Sequence, residues 1–503
     1  MILNIEGDIN RYYVQTLCMV YFPGSTFGEK EQEGDGTPEV LVRVTEDTEN
    51  ETVSAYVSIK LNDKLCDAIE TVSLNTEVTV ATPAALAVGR ALFAAGKDLL
   101  GYIPPWGILT GVRPAKIARS LIKNGNGINK SKRILRDEYF LNPQKAALAV
   151  NVAANETKLL KKVDKDTCSL YVSIPFCPSR CAYCSFVSYT TPRLLSLVDE
   201  YVDKLLLELD STFDVIRATG LKLNTIYIGG GTPTTLNVHQ LEKIFKKLHE
   251  LVDFSLISEF TLEAGRPDTI TEEKLSLAKK YGVTRVSVNP QTLNDDILHD
   301  IGRRHTTEQF YNAYAIAKQS GIRDINVDLI AGLPGDDFKN FSETIDKIIE
   351  LEPTNITVHT FCVKKASDAL RNNSGIYSAN GGDAGKCVSY SQLRTKFAGY
   401  KPYYMYRQKN TVGNLENVGY SIEGHEGLYN IFMMEEVQTI FAVGAGAVTK
   451  LVDHNAIDSK NPILRISNPK YPYEYLRRYN EDGGERAHAD LKAKCLEFFG
   501  VEQ

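Results

Sequence analysis

The sequence predicts an α/β chain, with six strand–helix units forming a partial or complete barrel or an open sheet, between an N-terminal and a C-terminal α+β domain. Three observations carry this. From residue 169 six short apolar runs alternate with amphipathic helical stretches, the pattern of parallel βαβ units. Before that the chain is β-rich and then helical, and after about residue 365 the alternation stops in a stretch rich in Tyr, Gly and Asn. At 503 residues the chain also exceeds one ordinary core. The expected divisions are 1–164, 165–365 and 366–503.

The elements follow in order. Met1 to Gly7 (MILNIEG) reads as a strand and lacks the basic start and long apolar run of a signal peptide. YYVQTLCMVYF (Tyr12 to Phe22) and VSAYVSIKL (Val53 to Leu61) read as strands from their aromatic and β-branched content, with the acidic loop Glu29 to Glu39 between them. Ala85 to Leu100 and Pro143 to Lys162 space apolar residues three and four apart, which predicts helices. Lys161 to Thr167 reads as a linker. The six strand candidates are 170–174, 225–230, 259–264, 285–289, 325–330 and 355–361. In barrel or open sheet alike, chemistry gathers on the loops leaving the C-terminal strand ends. GAGAV (Gly444 to Val448) is either a Gly-rich turn or a surface for a nucleoside.

Bulk properties narrow the function. With 43% apolar and 24% charged residues and no run of about 18 apolar residues, no membrane partner is expected. The net charge of −6, without a long Lys/Arg block, gives no support for nucleic acid. Nine cysteines at scattered spacings suit a reducing cytoplasm better than a disulfide framework.

Three of those cysteines are concentrated in IPFCPSRCAYCSF (Ile174 to Phe186), at Cys177, Cys181 and Cys184, just after a strand candidate. Three thiolates on one loop can hold three corners of a cubane iron–sulfur cluster and leave one iron open. The alternatives are a zinc site completed by a distant ligand, or three buried apolar cysteines.

C-x3-C-x-aromatic-C, with Tyr183 as the aromatic, resembles the signature of radical S-adenosylmethionine (SAM) enzymes. With YIGGGTPTTL (Tyr227 to Leu236), SVNPQTLND, IGRRHT and NVDLIAGLPG in order, residues 169 to 362 are similar to the oxygen-independent coproporphyrinogen III oxidases and their relatives. The long N-terminal extension, GILTGVRPAKIARSL (Gly107 to Leu121) and YMYRQKNTVGNLENVGYS (Tyr404 to Ser421) look most like the HemZ type. The resemblance implies a partial (β/α)6 radical SAM barrel carrying a [4Fe-4S] cluster on Cys177, Cys181 and Cys184. It also implies SAM on the open iron, with a second SAM in the same site.

Carried over residue by residue, it implies SAM contacts at Tyr171, Tyr183, Gly230, Gly231, Thr232, Glu263, Gln291, Arg303 and Asp328. Read from the residues alone, Tyr171 is also a core aromatic, Glu263 and Asp328 strand-end acids, and Arg303 a surface cation. The implied reaction is the decarboxylation of coproporphyrinogen III to protoporphyrinogen IX, supplied with electrons by a donor such as flavodoxin or ferredoxin. Its propionates need cations and its pyrroles aromatic walls, which Arg407 and Lys409 beside Tyr403, Tyr404 and Tyr406 would provide; the same run also reads as an exposed basic strand.

At one position the chain departs from the HemN type: Phe186 stands where that type has a further Cys. In this it resembles the heme chaperones of the HemW type, although Arg407 to Asn410 contain no His for a heme-binding His-Asn pair, and His454-Asn455 falls downstream. A radical SAM methyltransferase acting on heme and a non-catalytic module working through residues 1–164 are the remaining alternatives. In the N-terminal domain Arg113 and Lys116 are candidates for substrate, partner or capping contacts.

Overall fold

The structure is a computed structural model that describes residues 1–27, 36–76, 81–111, 113–161, 164–184, 186–362, 382–408, 411–453 and 463–501. Lys409 and His454-Asn455 lie outside the described residues.

The N-terminal sheet has the order β1 (Ile2–Glu6), β2 (Glu39–Asp47), β3 (Thr52–Leu61), β4 (Lys64–Ser73), with β1 parallel to β2 and the others antiparallel. β3 alternates strictly, burying Val53, Ala55, Val57 and Ile59, as a strand with one dry face must. Helix Pro83–Leu100 covers that face, capped by Thr82 and stopped by Gly101.

One expected strand is a helix. Residues 12 to 22 form most of helix Arg11–Tyr21, with Asn10 Oδ1 accepting from Tyr13 N at 3.2 Å. Its buried residues include Val14, Leu17, Cys18 and Tyr21 at helical spacing, with Val20 beside them, and Tyr13 and Tyr21 donate to the carbonyls of Ala85 and Phe93 on the facing helix. Packing on that neighbour overrides the β-propensity of the aromatic residues.

The six expected parallel strands all form: β5 (Thr167–Ile174), β6 (Lys222–Gly230), β7 (Glu259–Glu263), β8 (Arg285–Ser287), β9 (Asp324–Ala331) and β10 (Asn355–Thr360). They pair consecutively and in parallel, β5 to β10. The barrel does not close, because the C-terminal segment supplies the next strand on each side. β12 (Glu416–Ser421) pairs antiparallel with β10 and carries β11 (Lys401–Arg407), while β13 (Thr439–Val443) pairs parallel with β5 and carries β14 (Val448–Val452) and β15 (Ile463–Ser467). The expected appended unit is thus woven into one eleven-stranded sheet. GAGAV is the β13–β14 turn, where Gly444 N donates to Glu208.

At the N-terminal strand ends Arg285 reaches Glu259, Asp324 and Asn355, so its buried charge is paired and bonded. At the β12 side, Lys145 and Trp106 from the N-terminal region both reach the buried Glu416 carboxylate, Trp106 Nε1 at 2.8 Å. Among the described residues no helix is long and apolar enough to cross a membrane.

Candidate active site

A cavity of about 380 Å³ opens at the C-terminal strand ends and runs through the barrel to Arg285 at its other end. It is lined by Cys177, Cys181, Tyr183, Cys184, Gly230, Gly231, Thr232, Glu263, Gln291, Arg303 and Asp328, eleven of the residues singled out in the sequence.

The cysteine loop leaves β5 and is pinned along its length. Cys177 N donates to Tyr189 O at 3.1 Å, Ala182 N to Ile301 O at 2.9 Å, and Cys184 N to Cys181 O at 3.1 Å. The Gly-rich turn after β6 lies directly against it: Gly231 N donates to Ile174 O at 2.8 Å and Thr232 N to Phe176 O at 2.8 Å. A Cβ on Gly231 would lie 2.6 Å from Phe176 O and 3.0 Å from Cys177 Sγ, so a side chain cannot be placed there without moving the loop.

The thiols are set up for a polynuclear group. Burial pushes Cys177 up to about 11 and raises Cys184, which disfavours free thiolates and suits sulfurs whose negative charge is taken by iron. Thr232 Oγ1 lies 3.2 Å from Cys177 Sγ, and Arg266 Nη1 donates to Cys181 Sγ at 3.3 Å. Three thiols on one loop, two of them met by Thr232 and Arg266, fit the donor set of a cubane cluster that keeps one corner open.

Around the thiols the polar groups are fixed by one another. Arg303 donates to Tyr183 Oη at 3.1 Å, Gly265 O at 3.0 Å and Asn289 O at 2.7 Å. Asp328 accepts from Asn289 Nδ2 at 2.8 Å and Asn326 Nδ2 at 2.7 Å, with His359 Nε2 at 3.7 Å. Burial opposes its ionisation, but His359 and these bonds outweigh it and hold the carboxyl below the usual range. Glu263 behaves oppositely: burial lifts it to about 7, with Asp328 adding to the rise, although Tyr227 donates to its Oε1. Two acids of one cavity thus differ in charge near neutrality. Gln291 has φ +70°, a left-handed conformation costly for a side chain, held by Gln291 N to Asp328 O at 3.1 Å and Ile330 N to Gln291 O at 3.0 Å.

Two expected contacts fall elsewhere. Tyr171 is not in the cavity wall; its ring lies 6.0 and 6.3 Å from the rings of Tyr227 and Tyr429, which stack on each other at 4.5 Å. Arg407 points away from the cavity, buried to 3% exposure, donating to Leu109 O and Asn414 O and lying over Trp106 at 5.4 Å. Strand alternation explains this: Tyr404 and Tyr406, three and one residues before it, line the cavity, while Arg407 faces the N-terminal region. Arg113 likewise spans segments, bonding Glu436 at 2.7 Å and Met434 O at 3.0 Å.

The sequence reading missed Arg266, Asn289, Tyr227 and His359. Each stands on or just after a barrel strand, and that placement was the available signal. Phe186 is 69% exposed and lines the cavity at the end of the cysteine loop.

Comparison with known proteins supports these features. Residues 171–348 match the model of the radical SAM superfamily. The chain is 38% identical over 400 residues to the oxygen-independent coproporphyrinogen-III oxidase-like protein HemZ of Bacillus subtilis, covering 79% of this chain and 78% of that one. It is 37% identical over 198 residues to the heme chaperone HemW of Bacillus subtilis, covering 39% of this chain and 51% of that one. The structure is similar to coproporphyrinogen III oxidase (HemN) from Escherichia coli, with a TM-score of 0.50 and 20% identity over 65% of this chain and 73% of that one, a likeness of fold.

Proposed function

Since this chain belongs to the radical SAM superfamily, within the oxygen-independent coproporphyrinogen III oxidases and their HemZ-type relatives, we propose that it converts coproporphyrinogen III to protoporphyrinogen IX without oxygen. The observation that carries the reading is one cavity with three cysteine thiols in its wall and the aromatic wall of Tyr403, Tyr404 and Tyr406. When bound, the [4Fe-4S] cluster and SAM supply a 5'-deoxyadenosyl radical able to take one hydrogen atom from a substrate carbon.

The chain's own residues bind and orient. Gly230, Gly231 and Thr232 offer backbone groups to the methionine end of SAM, and Glu263 accepts from ribose hydroxyls. Arg303, Gln291 and Asp328 are polar groups for a second SAM or for substrate. The tyrosines of β11 give the pyrroles an apolar wall. Each of two propionates then becomes a vinyl group by giving a hydrogen atom to the 5'-deoxyadenosyl radical, releasing carbon dioxide and passing one electron to a separate one-electron acceptor. We place this activity in the cytoplasm, with electrons from a carrier such as flavodoxin or ferredoxin.

Phe186 favours a second reading. It occupies the position of the further Cys of the HemN type, as in the heme chaperones, and the exposed ring at the cavity edge is an apolar contact for a porphyrin face. Anaerobic incubation with SAM and coproporphyrinogen III, and separately with heme, decides between them by product mass. Loss of two carbon dioxide units from coproporphyrinogen supports the oxidase. Unchanged coproporphyrinogen with stoichiometric heme retention overturns it in favour of the chaperone, and methyl gain on an opened heme ring in favour of the methyltransferase.

A further inference from the structure

The cysteine loop is a thin septum between two cavities. Cys177, Cys181 and Cys184 line the inner one, while Pro178, Ser179 and Arg180 of the same loop line an outer one of about 630 Å³. Arg303 borders both. The septum is braced from behind. Ser179 Oγ donates to Gly302 O at 3.0 Å and accepts from Arg266 Nη2 at 2.8 Å. Gly302, at φ +78°, lies so close that a Cβ would be 2.8 Å from Arg180 O.

The outer cavity has the opposite sign to the chain, whose net charge is −6. Arg180, Arg303, Arg304 and His299 line it against one carboxylate, Asp295, whose Oδ1 already accepts from Thr307 N at 2.7 Å and Thr307 Oγ1 at 2.8 Å. Arg180 and Arg304 are exposed, as is His299, which lies beside Asp300 at 3.5 Å.

We infer that this outer face is the docking surface for a small acidic one-electron carrier protein, seated over Arg180 and Arg304. The inference rests on reading the three thiols as cluster ligands. A protein cannot enter the inner cavity, which SAM and substrate need, so the path of least backbone between a docked carrier and the thiols runs through the Pro178–Arg180 turn. Exposed arginines against a chain of net negative charge select an acidic partner and steer its approach. One electron leaves the reduced carrier and enters the cluster, with no bond or proton change at the interface.

The test uses cluster-loaded protein and flavodoxin as the probe. Flavodoxin affinity, read from flavin fluorescence, is expected to fall about tenfold in R180E/R304E and several-fold in R304E, and the salt dependence of association to flatten. SAM cleavage driven by dithionite should stay within about twofold of the unsubstituted protein, since a small reductant needs no docking surface. Unchanged flavodoxin affinity in R304E, with cluster absorbance intact, overturns the docking assignment. Failure of dithionite to drive SAM cleavage in the unsubstituted protein instead overturns the cluster reading, a separate result.

Discussion

Glu263→Gln should make the cofactor-free protein more stable at pH 8 and nearly unchanged at pH 5. Burial lifts this carboxyl from 4.5 to about 7, against the lowering hydrogen bonds from Tyr227 and from the Gly230 backbone. The folded state therefore holds the proton more tightly than the unfolded chain. Between pH 4.5 and about 7 folding takes up a proton, so stability falls as pH rises through that window and levels off above it. At about 1.36 kcal/mol per tenfold change in proton affinity, the full penalty is about 3 kcal/mol. Gln keeps the shape and the acceptor for Tyr227 but cannot ionise. For a unit of about 340 residues, since the C-terminal strands share the barrel's sheet, the difference corresponds to roughly 4 °C in Tm. Differential scanning calorimetry of both proteins from pH 5 to 8 measures it, and the cysteine contributions cancel in the difference. Parallel Tm profiles, or a less stable variant at pH 8, would refute the reasoning.

Gly231→Ala should lower iron content per chain without unfolding the N-terminal sheet, because the new methyl meets Phe176 O and Cys177 Sγ; iron analysis with circular dichroism checks it. Tyr183→Phe removes one of three bonds holding Arg303 and should weaken SAM binding about fivefold by calorimetry, the effect of roughly 1 kcal/mol. Lys145→Met leaves a Glu416 oxygen buried without its cation and should cost about 3–5 kcal/mol in denaturant unfolding, partly recovered in Lys145→Met/Glu416→Gln.

What the sequence made legible was local. Each of the six barrel strands carries its own apolar run and each cysteine its own spacing, so both could be read without knowing what packs where. Residues 12 to 22 could not, since their aromatic content favours a strand and only the facing helix, whose carbonyls take the Tyr13 and Tyr21 hydroxyls, decides for helix. How the C-terminal strands join the sheet was not legible for the same reason: pairing of β12 with β10 and β13 with β5 joins residues distant in the chain. Arg407 was chosen by charge and neighbourhood, and a one-residue step along β11 turned it to the other face.

That step also explains how the N-terminal region bears on the site. Tyr404 and Tyr406 on one face of β11 line the cavity, and Arg407 meets Trp106 and Leu109 O on the other. Next to it, β12 holds Glu416 between Lys145 and Trp106, while the Glu416 carbonyl accepts from Thr360 Oγ1 at 2.7 Å and Asn417 Oδ1 accepts from Thr360 N at 2.8 Å. Thr360 and Asn417 both line the cavity. The described N-terminal residues thus supply no side chain to the cavity wall, yet they fix the backbone that carries its aromatic side. Loss of Lys145 should therefore be felt by the substrate before it is felt by the methionine and ribose parts of SAM, whose expected contacts, Gly230 to Thr232 and Glu263, follow or end the opposite strands β6 and β7.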